Sequence, residues 1–372
     1  MPKILVAGAS GLVGYAAIKH FESLPEWEVI GVSRRRPVGF RRAEHISVDL
    51  SDAQQCTDAF GAMDDVTHII YAALFERPGL HQGWSGDDNS YLRQNLDMLR
   101  NLFEPLEAAS ARLRHVSLMQ GSKAYGTHLG IRPRVPMRER QPRVEHANFY
   151  FAQQDYLARR QIGKRWAWTI WRPVLIFGEA PGNPLSMIPP IAVYAAILRE
   201  RGEPLHYPGN PGWWEVREAI DTEMLAAAFE WAATSDKARN EVYNIANGDV
   251  FVWQEVWPVI AESLGMEPGE NRPLVLAEVM PSWEEEWLAL AERHDLRGPR
   301  RFEELVGQGF IFADYVFGHG REPGSRILIN AITKLRQHGF QQTVDTEEML
   351  RKWLVRLQES RVIPPPSTEV LA

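Results

Sequence analysis

The sequence predicts an α/β protein, a doubly wound parallel sheet followed by a smaller, mostly helical C-terminal lobe. Three observations carry this. A short apolar run, Lys3-Ile4-Leu5-Val6-Ala7, feeds directly into the glycine-rich turn Gly8-Ala9-Ser10-Gly11-Leu12-Val13-Gly14 and a helical stretch to Phe21. Strand-like and helix-like segments then alternate to about residue 180, as they do when crossover helices link parallel strands. Beyond Gly178 the chain becomes rich in Pro and Gly, and after residue 250 it is helical and rich in tryptophan.

The first strand is read as buried because it is continuously apolar and bounded by glycine. The three glycines have separate jobs: Gly8 makes the tight turn, Gly11 lets backbone approach a pyrophosphate, and Gly14 packs the helix on the strand. Phosphates would sit at the helix N-terminus, where N–H groups and the dipole favour negative charge. The sheet is therefore expected to be of the Rossmann type. The second strand, residues 27–32, ends in Ser33-Arg34-Arg35-Arg36-Pro37. An acidic residue here would hold a ribose 2′-hydroxyl, whereas arginine suits a 2′-phosphate, so the charge favours NADP over NAD.

Further strands are expected at residues 46–50, 66–73, 115–119 and 168–174, and a returning strand at 242–245. A long amphipathic helix is expected at 89–109, with Leu92, Leu96, Leu99, Leu102 and Phe103 on one stripe. Residues 1–180 form the expected NADP-binding domain, with a returning segment near 215–248. Residues 181–214 and 249–372 form the expected substrate lobe.

Composition narrows the class. The 372 residues are 45% hydrophobic and 24% charged, ordinary for a globular protein. A formal charge of -7 argues against nucleic acid as a partner. No run of about 18 apolar residues suggests a membrane span, and the N-terminus enters a strand without a signal-like leader; a cytoplasmic protein is expected. Cys56 is the only cysteine, which excludes an intrachain disulfide and a cysteine metal cluster; it reads as a buried apolar residue. His68, His81, His115 and His146 lack metal-ligand spacing. The pairs Trp253/Trp257 and Trp283/Trp287 read as core stripes, Trp213-Trp214 as a pocket or interface loop, and Glu284-Glu285-Glu286 as a solvated helix face.

Short-chain dehydrogenases normally carry Tyr-x-x-x-Lys on one helix turn. Here the residues four after Tyr150, Tyr125 and Tyr156 are Gln154, Leu129 and Arg160. Gly121 stands where extended members place a Ser or Thr. The usual triad is broken twice, which leaves a dead site or a rearranged one. Lys123, just past the fifth strand, and Tyr150, opening the next helix, fall on the same sheet edge and support rearrangement.

These residues resemble the progesterone 5β-reductase and iridoid synthase-like enzymes, an atypical branch of the extended short-chain dehydrogenases. The resemblance rests on the phosphate turn, on Arg34-Arg35-Arg36-Pro37, on Gln120-Gly121-Ser122-Lys123-Ala124-Tyr125 and on Asn148-Phe149-Tyr150-Phe151 with Asp155. It extends through residues 247–265, Phe312-Ala313-Asp314, residues 334–340 and Val362-Ile363-Pro364. It implies Tyr150 and Lys123 as the catalytic pair, which bind the carbonyl oxygen of an enone while NADPH delivers hydride to the β-carbon. It also implies NADPH contacts at Ser10, Gly11, Leu12, Val13, Arg34, Arg35, Asp49, Leu50, Ala73, Leu74, Gln120, Tyr150 and Ile176, with Ser186 and Met187 beside them. The turn reading adds Gly8, Gly14 and Ser33. Phe151 replaces the family's second tyrosine, and Ala73-Leu74-Phe75-Glu76 lacks a tryptophan that many plant members carry, so a different pocket shape is expected. A carbonyl reductase on the same residues and an NADPH-binding regulator without turnover stay open as alternatives. A homodimer is expected from the family alone.

Overall fold

The computed structural model describes residues 1–76, 89–180, 183, 185–209, 214–322 and 327–365. In chain order the elements are β1 (Lys3–Ala7), α1 (Leu12–Ser23), β2 (Glu28–Ser33), β3 (Glu44–Ser47), α2 (Ala53–Phe60), β4 (His68–Tyr71), α3 (Ser90–Ala109), β5 (His115–Met119), α4 (Phe149–Gln161) and β6 (Ala167–Arg172). There follow β7 (Leu175–Phe177), α5 (Ile188–Glu200), β8 (Leu205–Tyr207), β9 (Ala219–Asp221), α6 (Thr222–Thr234), β10 (Glu241–Asn244), α7 (Trp253–Ser263) and β11 (Pro268–Asn271). The remainder is helical: α8 (Leu276–Val279), α9 (Glu284–Arg293), α10 (Phe302–Leu305), α11 (Gly309–Phe317), α12 (Thr333–Gln337) and α13 (Thr346–Glu359).

The chain divides into two compact units. The first comprises residues 1–174, 222–246 and 329–342. Its seven strands form one parallel sheet in the order β10-β6-β5-β4-β1-β2-β3, the α/β class expected. Leu5 pairs with Ile30 on one side and Ile69 on the other. Helices cover both faces, which is why inner strands such as β1 and β4 are buried almost throughout rather than alternating. One large cluster joins Leu5, Ile69, Val116 and Ile170 of the sheet to Leu99, Leu102 and Phe103 of α3, so the leucine stripe does face the core.

The strand ends depart from the sequence expectation for local reasons. The third strand stops at Ser47 because Asp49 turns the chain: its carboxylate accepts from the Ser51 backbone N–H at 2.9 Å and the Ser51 hydroxyl at 2.7 Å. The sixth stops at Arg172 because Pro173 has no N–H for a ladder. Leu175–Phe177, expected to continue it, pairs with β9 in the other unit. Residues 329–342, expected in the C-terminal lobe, belong to the first unit. They are held there by a bridge between Met137 and Asn330, and by Lys334 Nζ, which donates to Glu241 Oε2 at 2.6 Å and to the Val242 carbonyl at 2.9 Å.

The second unit comprises residues 175–221, 247–328 and 343–372. It carries two short parallel pairs, β7 with β9 and β8 with β11, among helices. Trp253, Trp257, Tyr207 and Phe317 form its aromatic centre, with ring centroids 5.0–6.3 Å apart in mostly edge-to-face contact. Trp253 and Trp257 are therefore core, as their spacing suggested. Trp287 is buried as well, while Trp283 stacks on Tyr194 and lies under the Arg201 guanidinium at 3.9 Å. The glutamate run is not a plain solvated face: Glu284 accepts from the Phe302 N–H at 2.8 Å and Glu286 pairs with Arg201 at 2.6 Å. Trp213 and His81 lie outside the described residues, and Trp214 is 66% exposed.

Candidate active site

The β1–α1 turn has the shape of a phosphate cradle. Gly8 sits at φ +87°, and a Cβ there would lie 2.7 Å from the Ala72 carbonyl at the end of β4. A Cβ on Gly14 would collide with the Gly8 carbonyl. Both positions exclude any side chain, and the turn packs against the edge where β4 delivers Ala73 and Leu74. The N-cap of α1 is Gly11, with no side-chain cap and no acidic residue in the first turn. That is what an anion at a helix N-terminus requires. Gly11 itself has φ -88°, so what a glycine offers there is space.

Arg34 and Arg35 stand exposed just past β2. Their backbone is held by the Ser33 hydroxyl, which donates to the Arg35 carbonyl at 2.7 Å, and by the Ser47 hydroxyl, which donates to the Arg34 carbonyl at 2.9 Å. Asp49 is held below the usual carboxylate range by the Ser51 hydrogen bonds, with Arg34 adding to the effect. Leu50 is buried and its carbonyl accepts from Asn101 Nδ2 at 2.9 Å. Ile176 lies on β7, and with Ser186 and Met187 it belongs to the other unit.

Past β5 the chain makes a short 3-10 turn, Ser122–Tyr125, that carries Lys123. Asn148 joins this turn to the start of α4: its Oδ1 accepts the Tyr150 N–H at 2.9 Å while its Nδ2 donates to the Lys123 carbonyl at 3.1 Å. One side chain thus caps the helix and fixes both expected catalytic residues. The missing Ser or Thr at Gly121 also has a geometric reason. A Cβ on Gly121 would lie 3.4 Å from the Tyr150 hydroxyl, in van der Waals contact with it, so a longer side chain there would start against the phenol.

Three residues at this edge went unassigned in the sequence reading. Arg172, 5% exposed, sends Nε to Gln120 Oε1 at 2.9 Å and Nη2 to Gln154 Oε1 at 3.4 Å, and stacks over the Tyr125 ring at 5.2 Å. Gln120 Nε2 in turn donates to the Tyr150 carbonyl at 2.9 Å. The Gln120 side-chain amide is therefore engaged within the protein at both ends. Glu76 lies 3.8 Å from Lys123 Nζ, and its Oε1 is buried without a hydrogen bond among the described residues. The backbone of Phe75 before it is clamped by Asn95, which exchanges hydrogen bonds with the Phe75 N–H and carbonyl at 2.9 and 3.1 Å. Asn148 is the third. A signal existed for Arg172, a charge inside an apolar strand, and for Glu76, a carboxylate just beyond the end of β4.

The electrostatics define the phenol's state. Burial drives the Tyr150 pKa well above the ordinary tyrosine range, Glu76 pushes it further, and Arg172 opposes. Tyr150 is a neutral hydrogen-bond donor, suited to an acceptor that gains negative charge. Cys56 is buried and its thiol is pushed up to about 11, first by burial, which fits an inert core residue. Among the described residues no group of three or more His, Cys, Asp or Glu could hold a metal. No described helix is long and apolar enough to cross a membrane.

Comparison with known proteins shows the family. Residues 52–317 match the family model described as a PRISE-like Rossmann-fold domain. The chain belongs to that family. Among its relatives is the 3-oxo-Delta(4,5)-steroid 5-beta-reductase of Arabidopsis thaliana, 31% identical over 97% of this chain and 92% of that one. Another is the (S)-8-oxocitronellyl enol synthase CYC1 of Camptotheca acuminata, 29% identical over 97% and 93%. As a PRISE-like protein with reductase relatives along nearly its whole length, the chain is an oxidoreductase. The resemblance read from the motifs thus holds. Among solved structures, the UDP-glucose 4-epimerase of Thermotoga maritima with UDP-glucose superposes with a TM-score of 0.66 at 16% identity, over 96% of this chain and 99% of that one. The UDP-glucose 4-epimerase of Thermus thermophilus in complex with NAD gives 0.62 at 19%, over 96% and 99%. These two likenesses are of fold.

Proposed function

We propose that the chain is an NADPH-dependent reductase of activated C=C bonds, adding hydride 1,4 to enones or enals, with Tyr150 and Lys123 at the carbonyl oxygen. The observation that carries this reading is the half-buried, neutral Tyr150 phenol beside Gly121 at the carboxyl end of β5, beside the strand whose end meets the phosphate turn. A cofactor would lie on Gly8, Ser10, Gly11, Leu12, Val13 and Gly14 by its diphosphate. Ser33, Arg34 and Arg35 would take the 2′-phosphate, Asp49 and Leu50 the adenine, and Ala73, Leu74, Gln120 and Tyr150 the remainder. Bound there, NADPH would supply the hydride.

The protein's part is electrostatic. As the β-carbon accepts hydride, charge moves to the carbonyl oxygen, and a donor aimed at that oxygen binds it more strongly in the transition state than in the ground state. Tyr150 is that donor, and the Lys123 ammonium adds positive field. The Phe75, Tyr91 and Phe149 rings, clustered with Tyr150, make this side of the site apolar, which suits a small apolar enone. The same reading expects a cytoplasmic enzyme, and a homodimer on family grounds alone.

The test mixes purified protein with NADPH and a simple cyclic enone, follows cofactor absorbance and identifies the product by mass and NMR. A saturated ketone, lost in Tyr150→Phe, is expected. An allylic alcohol would instead mean carbonyl reduction. Tight NADPH binding without turnover across several enones would mean a regulator.

A further inference from the structure

The second unit holds a cluster of buried hydrogen-bond donors that nothing in the proposed reaction uses. Arg217, 9% exposed, is fixed in its loop by a bridge to Phe251, with N–H to carbonyl distances of 2.7 and 2.8 Å. Its Nη2 donates to Glu215 Oε2 at 2.5 Å, while its Nε is buried and meets no acceptor among the described residues. Arg321, beyond α11, sends Nη2 to the Tyr315 carbonyl at 2.7 Å. Its Nε and Nη1 are likewise buried without an acceptor among the described residues. Arg217 feels the charge of both Arg321 and Glu215, and all three act on Tyr207. The Tyr207 ring packs 6.3 Å from Trp253, whose buried indole N–H also lacks an acceptor among the described residues.

A guanidinium cannot relieve its desolvation by losing a proton. Arg217 has one hydrogen-bonded carboxylate, Glu215, whose charge also acts on Arg321, and the buried Glu218 carboxylate follows Arg217 in the chain with contacts of its own. Unmet N–H groups on paired cations call for an acceptor that is itself negative, and a planar fork favours a carboxylate or a phosphate. We propose that Arg217, Arg321 and the Trp253 indole form a binding subsite in the second unit for an oxyanion on a small molecule, either free phosphate or a carboxylate on the substrate. The phosphate arm of the test does not depend on the reductase reading, because binding is measured without turnover; the substrate arm rests on it.

The test is calorimetric titration of the full-length protein with sodium phosphate against sodium chloride at matched ionic strength, on wild type, Arg321→Met, Glu215→Gln and the double variant Arg34→Ala/Arg35→Ala. Phosphate is expected to bind wild type and the Arg34/Arg35 variant alike, to weaken roughly tenfold or more in Arg321→Met, and to tighten in Glu215→Gln. The last is a gain that misfolding cannot imitate. A second arm compares KM for a cyclic enone carboxylate and for its methyl ester. A defect of Arg321→Met confined to the acid places the anion on the substrate, whereas phosphate binding without that defect makes it a separate ligand. Phosphate binding lost with Arg34 and Arg35 but untouched by Arg321→Met and Glu215→Gln overturns the proposal, as does the absence of both phosphate binding and any acid-specific effect.

Discussion

Arg172 Nη2 reaches Gln154 Oε1 at 3.4 Å, and Gln154 occupies the helix position where ordinary short-chain dehydrogenases carry their lysine. The cation missing from the helix is thus supplied from the neighbouring strand, where Arg172 lowers the Tyr150 pKa against burial. Substituting Arg172→Met leaves the Gln120 and Gln154 oxygens without their donor. The expected loss is about 1–3 kcal/mol of stability, read from urea unfolding. A second expected effect is upward movement of the Tyr150 titration, read from tyrosinate absorbance with Tyr150→Phe as the baseline. Arg172→Lys should not restore either, since one ammonium cannot reproduce the fork.

Glu76 acts in the opposite sense. Its carboxylate beside Lys123 and Tyr150 disfavours negative charge at the phenol. In Glu76→Gln the tyrosinate transition should move to lower pH, and the rate of enone reduction should hold or rise. An unmoved transition would show that Glu76 does not act on Tyr150.

Cofactor preference should reside in Arg34 and Arg35. The double alanine variant is expected to lose roughly 10- to 100-fold in NADPH affinity, the value of one or two charged hydrogen bonds, with little change for NADH. Fluorescence titration with both cofactors reads the ratio, and an equal loss for the two would remove the 2′-phosphate assignment.

Stability should fall with acidification from pH 7 toward 5. Burial holds His68 down at about 4 and His115 at about 3, against an ordinary histidine value of about 6.5. Both are neutral in the folded chain, so the unfolded chain takes up more protons below the ordinary value. Their contribution is full above about pH 6.5 and is lost as pH falls toward the folded values, each by up to about 1.4 kcal/mol per pH unit. Urea midpoints between pH 7 and 5 should show this slope, reduced in His115→Asn.

Much of the first unit could be read from residues alone, because its strands are apolar on both faces and its turns carry glycine. Gly8 and Gly14 needed no structure to assign. The leucine stripe of α3 was similarly visible. Other relations depend on contacts between residues far apart in the chain. Arg172 meets Gln154 and Tyr125 only once β6 and α4 are side by side, and residues 329–342 carry no local mark that assigns them to the first unit. The short strand at 44–47 was misplaced by a few residues because the Asp49 side chain, not the apolar pattern, decides where it stops. Glu76 is visible as a carboxylate just past β4, but its place beside Lys123 depends on Asn95 gripping the residue before it.

The order in which the chain supplies its parts has a consequence for biosynthesis. The sheet edge at β6 is closed by β10, which emerges from the ribosome about seventy residues later, and α12 follows only after most of the second unit has been made. A nascent chain that ends near residue 174 exposes the Thr169–Arg172 edge that β10 later covers, and an uncovered strand edge is a template for aggregation. A gene fragment cut at the end of β6 would therefore be a poor expression target, despite containing the whole phosphate turn.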